Sequence, residues 1–94
     1  MVQIKKQDLL ILRSILKKYP YKFYAYGSRV KGKAKKFSDL DLCIMDNINY
    51  EVLFEIKEAL DESDMSIHID IKRWNIDMNE DFRSLIKNDL VLFE

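Results

Sequence analysis

Between Asp8 and Tyr19 the apolar positions fall at Leu9, Leu12, Leu16 and Tyr19, with Ile11 and Ile15 widening the stripe. Steps of three and four place these side chains along one side of a helix. Asp8 can cap or begin that helix, which runs to about Lys18. Pro20, with no donor and a ring that clashes with the preceding turn, stops it. Tyr21 to Tyr26 is aromatic-rich and reads as a strand ending at Gly27, with a short helix possible after Ser28. Asp39 to Met45 is a second strand, and Asp46, Asn47 and Asn49 mark the turn that follows. Helical spacing returns from Tyr50 to about Glu62, where Val52, Leu53, Ile56, Ala59 and Leu60 share one side. Ser66 to Lys72 alternates, with Ile67, Ile69 and Ile71 facing one way and His68, Asp70 and Lys72 the other. A last helix is predicted from Glu80 to about Asn88, and Val91-Leu92-Phe93 adds an edge strand or docks on the core. The order helix, strand, strand, helix, strand, helix implies an α/β sandwich with helices packed on one face of the sheet.

A chain of 94 residues reads as one domain, residues 1–94, near the lower end of what sustains its own core. Its 48% hydrophobic content argues for a folded core and against disorder. The formal net charge of zero removes long-range attraction to polyanions. With no interleaved aromatic and basic platform either, a nucleic-acid partner is not expected. Charge is nonetheless uneven, because five of the eight residues from Arg29 to Lys36 are basic. Such a run is ordinarily a solvated loop, and its place in the chain makes Arg29 its best candidate for contact with phosphate. The single cysteine, Cys43, excludes an internal disulfide and suits a reducing cytosol. No apolar stretch is long enough to cross a bilayer, and the amino terminus lacks the features of a signal peptide. A cytoplasmic protein without a membrane partner is expected.

The alternation in the second strand also sorts the chemistry. Leu40, Leu42 and Ile44 point into the core, so Asp39 and Asp41 share the opposite face about 7 Å apart. If the strand of Ile67, Ile69 and Ile71 pairs with this one, its isoleucines join the same core and Asp70 joins the two acids. Converging carboxylates repel one another unless a cation lies between them. Their hard oxygens suit Mg²⁺, which also takes phosphate oxygens into its shell. Two such ions about 4 Å apart can stabilise both the attacking and the leaving oxygens of a phosphoryl displacement. Upstream, Gly27 lets the backbone approach a phosphate, and Ser28 adds a hydroxyl and free N–H groups. His68 lies on the acid face and reads as a sheet-surface residue, whereas Cys43 reads as a small packed residue below the site. Trp74 and the tyrosines are core or interface candidates.

The run from Gly27-Ser28 through Ser38-Asp39-Leu40-Asp41-Leu42, with ten residues between Ser28 and Asp39, resembles the core motif of the minimal nucleotidyltransferases (MNT) of the DNA polymerase β superfamily. The resemblance extends to Ile69-Asp70-Ile71 and covers almost the whole chain. Val30 and Lys31 stand where the family often has Ala and Arg. It implies the small nucleotidyltransferase sandwich with a mixed β-sheet. It also implies metal binding and catalysis by Asp39, Asp41 and Asp70, with Asp70 helping to activate the acceptor hydroxyl. Gly27, Ser28 and Arg29 would meet the nucleotide, with ATP as substrate and Mg²⁺, or alternatively Mn²⁺, as the metal. Larger relatives grip their acceptors with additional domains for which this length leaves no room, so a partner is expected to supply the acceptor. Small stand-alone members resemble the antitoxin half of HEPN–MNT toxin–antitoxin pairs, in which active members transfer AMP from ATP to a tyrosine of a HEPN ribonuclease. That is the reading the resemblance favours, within a homo- or hetero-oligomer. The alternative is a non-catalytic antitoxin that neutralises its partner by occlusion.

Overall fold

The computed structural model describes residues 2–93. Helix α1 (Lys6–Leu16) precedes strand β1 (Phe23–Tyr26), and a long loop leads to β2 (Leu40–Ile44). Helix α2 (Tyr50–Asp61) returns the chain to β3 (Ile69–Arg73). A short helical segment α3 (Trp74–Asp77), helix α4 (Glu80–Ile86) and strand β4 (Val91–Phe93) follow. The sheet order is β3-β2-β1-β4. β1 runs antiparallel to β2 and β4, while β2 and β3 are parallel, so the sheet is mixed, as expected. A parallel pair needs a crossover, and α2 provides it. Residues 91–93 are therefore an edge strand, which resolves the choice left open by their sequence.

The period-two assignment of β2 and β3 holds. Leu40, Leu42, Ile44, Ile69 and Ile71 all lie in the core that Leu12, Leu16, Leu53, Ile56 and Leu60 cover from the helices. α2 starts where its cap dictates, the Asn49 side chain accepting the Val52 N–H at 2.9 Å. Tyr19, beyond the end of α1, ties it to α2 by donating its hydroxyl to Glu55 Oε2 at 2.8 Å.

Three local expectations are corrected. α1 begins at Lys6, and Asp8 lies inside its first turn instead of capping it. The Asp8 side chain faces inward, where its carboxylate accepts the Ser66 N–H at 2.9 Å and the Ser66 hydroxyl at 2.5 Å. Burial alone would raise that carboxyl, but the two Ser66 bonds, Lys5 and Arg29 outweigh it and hold the group below its ordinary range. The buried face of α1 is thus Asp8, Leu12 and Leu16, and Leu9 is turned to a half-buried position. Second, no helix follows Ser28. The Gly27 carbonyl accepts N–H bonds from Val30 and Lys31, both at 3.1 Å, and the turn closes at Gly32, whose φ of +71° is left-handed.

Third, the sheet is covered on both faces. α1 and α2 take one face as expected, and Tyr26, Cys43, Met78 and Ile86 form a smaller cluster on the other, flanked by Tyr24, Trp74, Phe82 and Leu90. Asn79 caps α4 by accepting the Phe82 N–H at 2.8 Å. Arg83 fastens α4 to the preceding segment, its Nη1 donating to the carbonyls of Met78 at 2.6 Å and Trp74 at 3.1 Å. No described helix is long and apolar enough to cross a membrane.

Candidate active site

Strand register places the acids. Asp41 is the Cα partner of Asp70 on β3 and of Tyr26 on β1, so the three form one transverse row. Neighbouring strands are about 4.8 Å apart, which puts the two carboxylates side by side on the face opposite the main core. Asp39 is exposed in the segment just before β2. Burial, then Asp70, push the Asp41 carboxyl above its ordinary range; Asp39 adds to this, while Lys72 and His68 oppose it. Tyr26 registers the same anionic surroundings, its phenol being raised well above the usual value by burial and then by Asp41 and Asp70.

Gly27 closes the site on the β1 side. Its φ of +87° is a left-handed conformation, and a Cβ placed there would stand 2.6 Å from Asp41 Oδ2. The first amides of the turn, on Ser28 and Arg29, find no acceptor among the described residues. They are the N–H groups that an anion at this turn would meet. The Arg29 side chain goes the other way. It is 6% exposed, and its guanidinium donates to the carbonyls of Gln3 at 2.8 Å, Ser38 at 2.9 Å, Lys36 at 3.3 Å and Lys35 at 3.4 Å. Arg29 therefore staples the loop between Gly27 and Asp39 from inside instead of presenting itself to a phosphate. Lys33, Lys35 and Lys36 are exposed, as a solvated loop requires.

Asp41 and Asp70 are thus brought together, with Asp39 close enough to act on Asp41. Among the described residues no three His, Cys, Asp or Glu side chains close around a common point. The donor set nonetheless fits a hard divalent cation: two adjacent carboxylates that repel each other, a third acid nearby, and the ammonium of Lys72 already paired with Asp70 as a resident cation. Such a cation would complete its shell with phosphate oxygens and water. His68 lies outside β3, exposed, with Nδ1 3.7 Å from Asp61 Oδ1. Cys43 is fully buried. Two neighbours of the site, Tyr26 and Lys72, are not among the site residues expected from the sequence, although the alternation of β3 already puts Lys72 on the face of Asp70.

A left-handed glycine turn abutting paired strand carboxylates on a small mixed sheet is the arrangement expected of a nucleotidyl-transferring class of protein. The sequence matches the family described as Polymerase beta, Nucleotidyltransferase over residues 5–94, and the chain belongs to that family as a minimal nucleotidyltransferase. It is similar to a protein of Haemophilus influenzae named "Probable protein adenylyltransferase MntA", with 39% identity over 97 residues that cover 99% of this chain and 84% of that protein. The chain is accordingly a nucleotidyltransferase. Its family acts on nucleoside triphosphates, usually with a divalent metal.

Proposed function

We propose that this nucleotidyltransferase transfers AMP from ATP, with Mg²⁺, to a tyrosine hydroxyl of a HEPN-type toxin and so acts as a cytoplasmic antitoxin. The observation that carries the reading is the side-by-side placement of Asp41 and Asp70 on parallel strands, with the Gly27 turn packed against Asp41 Oδ2. The choice of AMP and of a protein acceptor is supported by the similarity to the protein named an adenylyltransferase.

Asp39, Asp41 and Asp70 would hold the metal, whose chemistry would be to offset the negative charge that builds up during transfer. The Ser28 hydroxyl and the Ser28 and Arg29 amides receive the triphosphate, while the Arg29 side chain keeps that loop in shape. The acceptor oxygen attacks the α-phosphorus, its proton passes to Asp70, and the bond to pyrophosphate breaks. Asp41→Asn keeps the core face intact and removes one ligand and one charge, so transfer should fall by at least about a hundredfold.

The test is to co-purify the chain with the product of its neighbouring gene and add Mg²⁺ and α-phosphate-labelled ATP. Label on a tyrosine of the partner, absent with Asp41→Asn, is the expected result. Equal labelling by Asp41→Asn would refute the metal assignment. A stable complex without label would favour neutralisation by occlusion.

A further inference from the structure

Lys72 is the cation that the strand register delivers to the acids. It stands two residues beyond Asp70 on β3, and its ammonium is ion-paired with the Asp70 carboxylate. The side chains are 39% and 31% exposed, so the pair is neither sealed in the core nor loose in solvent. Surface pairs of this sort contribute little to stability, and the fold gives no separate reason for a cation here. Its Cα partner on β2 is Cys43, buried and apolar in its packing, so the anions Lys72 meets are those of the neighbouring row. Its charge reaches Asp41 as well as Asp70.

We propose that Lys72 is a positioning residue, the internal counter-ion of the Asp41–Asp70 pair, which holds Asp70 in place before substrate arrives and yields it to the divalent cation when substrate binds. The inference rests on the nucleotidyltransferase reading of this site. A metal arriving alone must displace a tethered cation and then sit beside it. A metal arriving with a triphosphate brings anionic oxygens that give the released ammonium a new partner. Metal and triphosphate therefore raise each other's affinity, and by linkage the effect is the same in both directions.

Binding of Mn²⁺ to the purified chain, read from the electron paramagnetic resonance of the free ion, tests this with and without α,β-methylene-ATP. Lys72→Met should bind Mn²⁺ alone roughly tenfold more tightly than the unmodified protein, and the analogue should then improve that affinity by a smaller factor. Lys72→Arg keeps the charge and should stay close to the unmodified protein in both measurements. Unchanged or weaker Mn²⁺ binding by a folded Lys72→Met overturns the proposal. If the unmodified protein binds Mn²⁺ with the analogue and Asp41→Asn does not, the reading of the site survives that result. If the unmodified protein takes up no Mn²⁺ even with the analogue, both fall together.

Discussion

At Gly27 two constraints coincide on one residue. A φ of +87° disfavours any side chain, and a Cβ would meet Asp41 Oδ2 at 2.6 Å. Gly27→Ala should therefore destabilise the fold by about 1–2 kcal/mol through the backbone alone. It should also displace the Asp41 carboxylate and lower nucleotidyl transfer more than the stability loss explains. Denaturant midpoints and transfer rates on the same variant check both parts. Asp41 carries a pH signature of its own. Because folding raises its carboxyl above the ordinary 3.8, its contribution is present below that value and is lost as pH rises through the folded value. At neutral pH the charged group works against the fold. Metal-free Asp41→Asn should then melt at a higher temperature than the unmodified protein at pH 7, with the gap closing as pH falls towards 3.8. A lower melting temperature at pH 7 would reverse that assignment. At this scale the common face of Asp41 and Asp70 was legible, because parity decides a strand residue's face, while their side-by-side register came only with the pairing of β2 and β3. The inward turn of Arg29 was not, since a loop has no period from which to read direction.

Elements were legible where hydrophobic spacing was regular. β2, α2 and β3 follow their stripes, and the parity of Ile69 and Ile71 is the parity of the core. Ile69→Asp places a charge in that core, where Ile69 is 4% exposed, and should cost more than about 4 kcal/mol, a large share of a small domain's stability. The expected outcome is an insoluble or non-cooperatively melting protein by circular dichroism. A soluble variant with a sharp transition would place Ile69 outside the core. α1 shows how spacing misleads by one step of rotation. Its stripe includes Leu9, yet Asp8 takes the inward position because Ser66 supplies both an N–H and a hydroxyl there. That contact spans 58 residues of sequence and leaves no local mark. α3 is shorter than any periodicity can register, and it depends on Asp77, which accepts the Arg73 N–H at 2.8 Å and its Nε–H at 3.1 Å.

Across the molecule, the sheet is sandwiched between a large core and a small one, and the acids share their face with the small one. Trp74, Met78, Phe82 and Ile86 recur every fourth residue and supply much of that second layer. The signal was present in the chain, but the extended backbone at Met78 breaks it between two short helices. Cys43 reports on this layer. Its thiol is fully buried and pushed up to about 11 by that burial, so a disulfide reagent should label it only as fast as the protein unfolds. Labelling rates compared with unfolding rates across a urea series provide the check. Labelling that is fast and insensitive to urea would mean that α4 lifts from the sheet while the main core stays closed.

The loop between β1 and β2 has one further consequence, which follows from the four carbonyls gathered by Arg29. Fixing a free backbone residue costs about 1–2 kcal/mol in conformational entropy. Here a single guanidinium, bonded to three carbonyls of the loop and to that of Gln3 near the amino terminus, exacts that loss when the chain folds. A ligand settling on the Gly27 turn meets a surface already ordered. Calorimetry of its binding should show a small ordering entropy, and Arg29→Met should enlarge that unfavourable entropy without removing any contact to the ligand.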